Sequence, residues 1–148
     1  MLNKDYRDIL KAFIEEGAEF LVVDAYALAV YGLPRATGDI DLWINNSSDN
    51  TSKVWSALEK FGAPLGQIKR KDLEEPGIVY QIGVAPSRID IMTSIDDVEF
   101  DDAWNRKFSV VVEGLDIPIL SREHLIKNKR AVGRPQDLVD IDYLEKTD

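Results

Sequence analysis

The sequence predicts an α/β (α+β) domain in which helices cover a mixed β-sheet. Segments of helical and strand periodicity interleave in the order α-β-α-β-α-β-β-β-β-α-α. No repeat, low-complexity tract or Pro/Gly/Ser linker divides the 148 residues, so a single domain over 1–148 is expected. A chain of that length can bury a real hydrophobic core.

Tyr6, Ile9, Leu10, Phe13 and Ile14 recur at helical spacing and predict a helix over 3–16, ending at Gly17. Residues 19–23 form a short apolar strand, and 25–31 a short helix stopped by Gly32 and Pro34. Residues 38–44 alternate with a period of two, as a strand does. Ser48 or Asp49 can cap a helix carrying Val54, Trp55, Leu58 and Phe61. Residues 62–77 hold glycines, prolines and a basic triplet, and read as a loop. Strands over 78–84 and 88–93 are joined by Ala85-Pro86-Ser87 in a hairpin, and 108–112 with 117–120 make a further pair. Ser121 opens a helix, and 136–145 close the domain as a C-terminal helical pair.

Apolar residues make up 45% and charged residues 30%, the balance of a soluble globular protein. There is no cysteine, which excludes disulfides, thiolate metal sites and cysteine nucleophiles and favours the cytoplasm. The N-terminal residues carry charges throughout, and the longest apolar run is too short to span a bilayer, so no membrane association is expected. A formal charge of −9 argues against a protein that holds duplex DNA through its phosphates. Arg122, Lys127, Lys129, Arg130 and Arg134 nevertheless cluster as a patch fit for a nucleotide. The acidic run Asp96 to Asp102 suits a basic partner or, more simply, a solvated loop.

Asp39 and Asp41 lie one residue apart on a strand, so their side chains leave the same face while Ile40 and Leu42 enter the core. Two carboxylates on one face repel each other unless a cation sits between them. A hard divalent ion such as Mg²⁺ accepts carboxylates together with substrate phosphates. Asp90, between Ile89 and Ile91, is costly to bury unpaired and is expected at the same site. Three such carboxylates can hold two metal ions for in-line attack on a phosphoryl group. An Asp-x-Asp alone is a weak signal, and each aspartate can equally decorate a strand end; Asp90 makes the balance even.

Residues 20–44, FLVVDAYALAVYGLPRATGDIDLWI, resemble the opening of the minimal nucleotidyltransferases, specifically the AbiEii-like branch. Residues 125–140, LIKNKRAVGRPQDLVD, resemble that branch's C-terminal motif, and Glu75-Pro-Gly and Arg88-Ile-Asp-Ile-Met-Thr-Ser-Ile fit between them. The resemblance covers nearly the whole chain. It implies a nucleotidyltransferase fold of the polymerase-β kind, with Mg²⁺ (two ions, Mn²⁺ as substitute) and transfer of a nucleoside monophosphate from an NTP. The acceptor would be RNA, a protein or a small molecule, and the resemblance extends to toxins paired with an antitoxin. Carried over by position, Asp39, Asp41 and Asp90 bind metal, and Asp90 helps deprotonate the attacking hydroxyl. Lys129 touches the nucleotide, supported by Arg134, Asp137 and Asp140. Arg35 and Thr37 contact phosphate or shape the turn. His124, the sole histidine, reads as a surface or capping residue.

One departure stands out. Where the family carries Gly-Gly or Gly-Ser, this chain has Asp24-Ala25. Small residues there let backbone N–H groups approach a triphosphate. A carboxylate in that place repels phosphate, and like charges at ~4 Å cost about 1–4 kcal/mol. Alternatively Asp24 caps the helix that begins at Ala25, the reading we favour. Either way the phosphate cradle is altered, so a catalytically degenerate member acting by nucleotide or protein binding is the alternative to an active transferase. A metal-dependent phosphohydrolase lacks a supporting histidine cluster.

Overall fold

The computed structural model describes residues 2–146; Met1, Thr147 and Asp148, which the expected domain over 1–148 includes, lie outside the described residues. Helix α1 (Lys4–Glu15) starts where the Asn3 side chain accepts the Tyr6 N–H at 2.9 Å, and buries the stripe of Tyr6, Ile9, Leu10 and Phe13. Strand β1 (Phe20–Val23) is buried along its whole length and runs directly into α2 (Asp24–Val30). Strand β2 (Asp39–Ile44) follows, then α3 (Ser48–Phe61), β3 (Val79–Ile82) and β4 (Arg88–Met92). A short helix α4 (Phe100–Asn105), the hairpin β5 (Phe108–Val112) and β6 (Leu115–Ile119), and the pair α5 (Arg122–Val132) and α6 (Pro135–Lys146) complete the chain.

The six strands form one sheet in the order β3-β4-β2-β1-β6-β5. Strand β1 pairs antiparallel with β2 and parallel with β6, while β2 and β4 run parallel, so the sheet is mixed as expected. This order brings the C-terminal end of β1 beside the N-terminal ends of β2 and β4, and the functional residues gather at that edge. Ile40, Leu42 and Ile44 of β2 enter the core together with Phe13 of α1 and Val54 and Leu58 of α3. Phe13 meets Phe20 edge to face with ring centres 5.2 Å apart.

Four expectations are corrected. The cap of α3 is Ser47, one residue earlier than either candidate, its side chain accepting the Asn50 N–H. The loop over 62–77 contains a 3-10 turn, Arg70–Glu74, anchored by the buried Leu73. The acidic run is not wholly a solvated loop, because Phe100 begins α4 and packs edge-on against Trp43 at 5.0 Å between ring centres. Asp24 does not cap α2: Val23 holds the cap position with no side-chain hydrogen bond, and Asp24 is the first helical residue. Its φ of 57° lies in the left-handed region that glycine adopts freely, so the backbone keeps a glycine-like turn with a carboxylate on it. No helix among the described residues is long and apolar enough to cross a membrane.

Candidate active site

The register of β2 on β4 builds the centre. Asp39 faces Arg88 and Asp41 faces Asp90 across the parallel pair, so period-two alternation puts all four side chains on one face. One oxygen from each of Asp39, Asp41 and Asp90 lies within 4.8 Å of the others, a grouping able to hold a divalent cation. Asp41 is only 7% exposed and Asp90 is equally buried, while Asp39 sits nearer the rim.

Arg88 organises the outer half of this cluster. Its Nη2 donates to Asp39 at 2.9 Å and to Asp90 at 3.1 Å, and its Nε donates to the second Asp90 oxygen at 3.1 Å. The Thr37 hydroxyl donates to the remaining Asp39 oxygen at 2.6 Å. Burial works against ionised Asp39, yet these donors hold its carboxyl below the usual carboxylate range. Asp90 is raised, chiefly by burial.

The inner half is different. The Asp41 carboxyl meets other carboxyls, those of Asp90 and Asp24. Among the described residues no amide, hydroxyl, ammonium or guanidinium group donates to it. Burial, and then the charges of Asp24, Asp39 and Asp90, push Asp41 up to about 9. Asp24 joins this cluster because Val23 pairs with Asp41 across β1 and β2, and the next residue turns back over the same edge.

A second charged cluster lies behind the first. Lys129, 4% exposed, places its ammonium 3.3 Å from Asp137 and 3.0 Å from Asp140, both equally buried on α6. Arg134 holds Asp137 at 2.8 Å and Arg35 holds Asp140 at 2.5 Å. Hydrogen bonds from Arg134 lead in bringing Asp137 down to about 2. The basic patch expected along α5 is therefore not one surface: Lys129 is internal, Arg134 is bound to Asp137 and Arg130 pairs with Glu145. Lys129 does attract Asp24 electrostatically, as does Arg134, so the two clusters adjoin.

Two clefts flank the Asp24-Ala25 turn. One of about 280 Å³ is lined by Ala25, Tyr26, Ala29, Pro34, Arg35, Ala36 and Thr37. The other, also about 280 Å³, is lined by Asp24, Met92, Ser94, Ile95, Asp96, Asn128, Val132 and Arg134. The structure thus brings Asp39, Asp41, Asp90 and Asp24 together, sets Ala25, Arg35 and Thr37 along one rim and Arg134 along the other, and keeps Lys129 buried between α5 and α6. Sequence reasoning missed the role of Arg88; its two-residue spacing from Asp90 on a strand was the available signal. His124 is a capping-turn residue, its N–H donating to Ser121 Oγ at 3.2 Å.

This sequence matches the profile of a family described as nucleotidyl transferase of unknown function (DUF2204) over residues 2–147. The chain belongs to that family. No curated protein matches it by sequence. Among solved structures it is similar to a putative nucleotidyltransferase (TM1012) from Thermotoga maritima, with a TM-score of 0.62 and 16% identity, covering 99% of this chain and 94% of that one. It is also similar to ANT(2")-Ia in complex with adenylyl-2"-tobramycin, with a TM-score of 0.60 and 17% identity over 94% of this chain and 84% of that one. JHP933 from Helicobacter pylori aligns with a TM-score of 0.51 and 21% identity, over 97% of this chain and 64% of that one. The fold of this family member is the nucleotidyltransferase fold, as the two motifs implied.

Proposed function

We propose that the protein transfers a nucleoside monophosphate from an NTP to a hydroxyl acceptor, with Asp39, Asp41 and Asp90 holding divalent metal. The observation that carries this reading is Asp41. A carboxyl 7% exposed, pushed up by burial and by the charges of Asp24, Asp39 and Asp90, is the environment a hard cation relieves. Mg²⁺ fits such an all-oxygen donor set, as one or two ions, and Mn²⁺ can substitute. When bound, the metal neutralises phosphate charge and favours the nucleophilic form of an attacking oxygen.

The chain's own residues supply the rest. Arg88 and Thr37 fix the direction of Asp39 and Asp90. Asp90, raised by burial, is suited to take the proton of the attacking hydroxyl. Arg35, Thr37 and Arg134 stand on the cleft rims as phosphate contacts. The whole chain acts as one domain, in the cytoplasm, on an RNA, protein or small-molecule acceptor. The AbiEii-like motifs support service as the toxin of a toxin–antitoxin pair.

Incubation of the protein with labelled NTPs, Mg²⁺ and each acceptor class tests this reading. Label should pass to one acceptor with the natural protein and fail to pass with Asp41→Asn. Asp24 favours a second reading, a catalytically degenerate member that binds a nucleotide or protein, because its carboxyl stands on the turn that would cradle phosphate. NTP binding with no transfer to any acceptor would select it.

A further inference from the structure

The carboxyl cluster is asymmetric in its cations. Arg88 lies against Asp39 and Asp90, so these two carboxylates already have a fixed positive partner. Among the described residues, Asp41 and Asp24 have none in hydrogen-bonding contact. The nearest positive groups on their side, Lys129 and Arg134, act on Asp24 only by electrostatic attraction, because their N–H groups point to Asp137 and Asp140. Asp41 is more than nine-tenths buried, and Asp24 follows Val23, the residue paired with Asp41 across β1 and β2, in a left-handed turn at that edge. Asp24 also lines the open cleft beside Ser94, Asp96 and Asn128, so a hydrated ion can reach Asp24 from solvent.

We infer that Asp24 is a fourth carboxylate ligand of the metal centre, and that this chain binds one divalent cation between Asp24 and Asp41 before any nucleotide arrives. The inference rests on the proposed reading that Asp41 is a metal ligand, and adds to it a residue at a position where the family resemblance implies glycine. The physical reason is charge. Two adjacent carboxyls with no basic group between them are stabilised by a cation by more than either alone, and an additional anionic ligand raises affinity for hard metals. Asp24 then opposes an incoming triphosphate only while the cation is absent. The departure from glycine thereby turns a phosphate cradle into a metal ligand and orders binding, metal first and nucleotide second.

The test is a titration of the nucleotide-free, full-length protein with Mn²⁺, following free Mn²⁺ by electron paramagnetic resonance and heat by calorimetry. Asp24→Gly relieves the left-handed backbone, and Asp24→Asn keeps the side-chain shape, so at least one variant folds; thermal unfolding verifies it. The natural protein should bind one tight equivalent. Both Asp24 variants should bind at least about tenfold more weakly, and Asp41→Asn should lose the tight site. If both Asp24 variants bind as tightly as the natural protein while Asp41→Asn does not, Asp24 is no ligand and the three-aspartate centre stands without it. If Asp41→Asn also binds unchanged, the metal reading of the centre fails together with this inference.

Discussion

Asp41 and Asp90 stand directly opposite one another on the parallel strands β2 and β4, and Arg88 bonds to Asp90 but not to Asp41. One member of a facing pair thus has a basic partner within the protein and the other does not. Protonation and stability at this edge of the sheet follow from that difference.

Metal-free stability should depend on Asp41 as pH rises. Its folded value is pushed up to about 9 from an ordinary 3.8, so the folded state keeps a proton that the unfolded chain has released. The stability tied to that proton is full below pH 3.8 and is lost as pH climbs through about 9. Asp41→Asn cannot ionise. Its melting temperature in chelator should exceed that of the natural protein by a margin widening from weakly acidic to alkaline pH, on the order of 4 kcal/mol near neutrality. Parallel pH curves for the two proteins would contradict the account.

Asp137 should act in the opposite direction. Arg134, with Lys129 assisting, lowers it to about 2 from 3.8, so its contribution is present above pH 3.8 and lost as pH falls through about 2. The contribution at neutral pH is about 2 kcal/mol. Asp137→Asn should flatten the acid limb of the stability curve, measured by urea unfolding across the acid range.

Lys129 should matter first for folding. Replacing it with methionine leaves Asp137 and Asp140 buried with one arginine each, a change that costs about 3–5 kcal/mol when a buried pair is broken. The Lys129→Met, Asp140→Asn double variant should recover part of that loss. Denaturant titration of both measures it. Full stability in Lys129→Met together with lost nucleotide binding would return this lysine to the nucleotide.

Gly38 should resist any side chain. A Cβ placed there would lie 2.7 Å from the Cβ of Ala85, in the turn between β3 and β4, and Gly38 also accepts the Arg88 N–H at 3.1 Å. Gly38→Ala should therefore destabilise by about 1–3 kcal/mol and disturb both Asp39 and Arg88. Ala85→Gly added to it should restore much of the stability, which thermal unfolding of the single and double variants would reveal.

Periodicity and punctuation were enough to place most of the elements. The helical stripe from Tyr6 to Ile14, the alternation from Asp39 to Ile44 and the apolar strand around Asp90 are local patterns whose burial demands one secondary structure each. The same alternation pointed to Asp39, Asp41 and Asp90 as a group, because an aspartate flanked by isoleucines is too costly to bury alone. Helix α4 escaped notice because it is only six residues long in an acidic run, formed where Phe100 finds Trp43 across the fold. The cap of α3 was misplaced by one residue because Ser47, Ser48 and Asp49 all have capping side chains.

The tertiary structure alone decided which charges meet. Arg88 reaches Asp39 only because β2 and β4 pair in parallel at one register, although the two residues are far apart in the chain. Lys129 became an internal cation because α5 and α6 pack with Asp137 and Asp140 toward it, a relation no spacing in the sequence reveals. Asp24 was open to two local readings, a cap or a phosphate repeller, and the left-handed turn removed the first by swinging its carboxyl over the β1 edge toward Asp41. Residue type and period determine what a segment can bury, since those forces act over a few residues. The sign and partner of each buried charge depend on distances of a few ångströms between segments, and only the assembled sheet sets those.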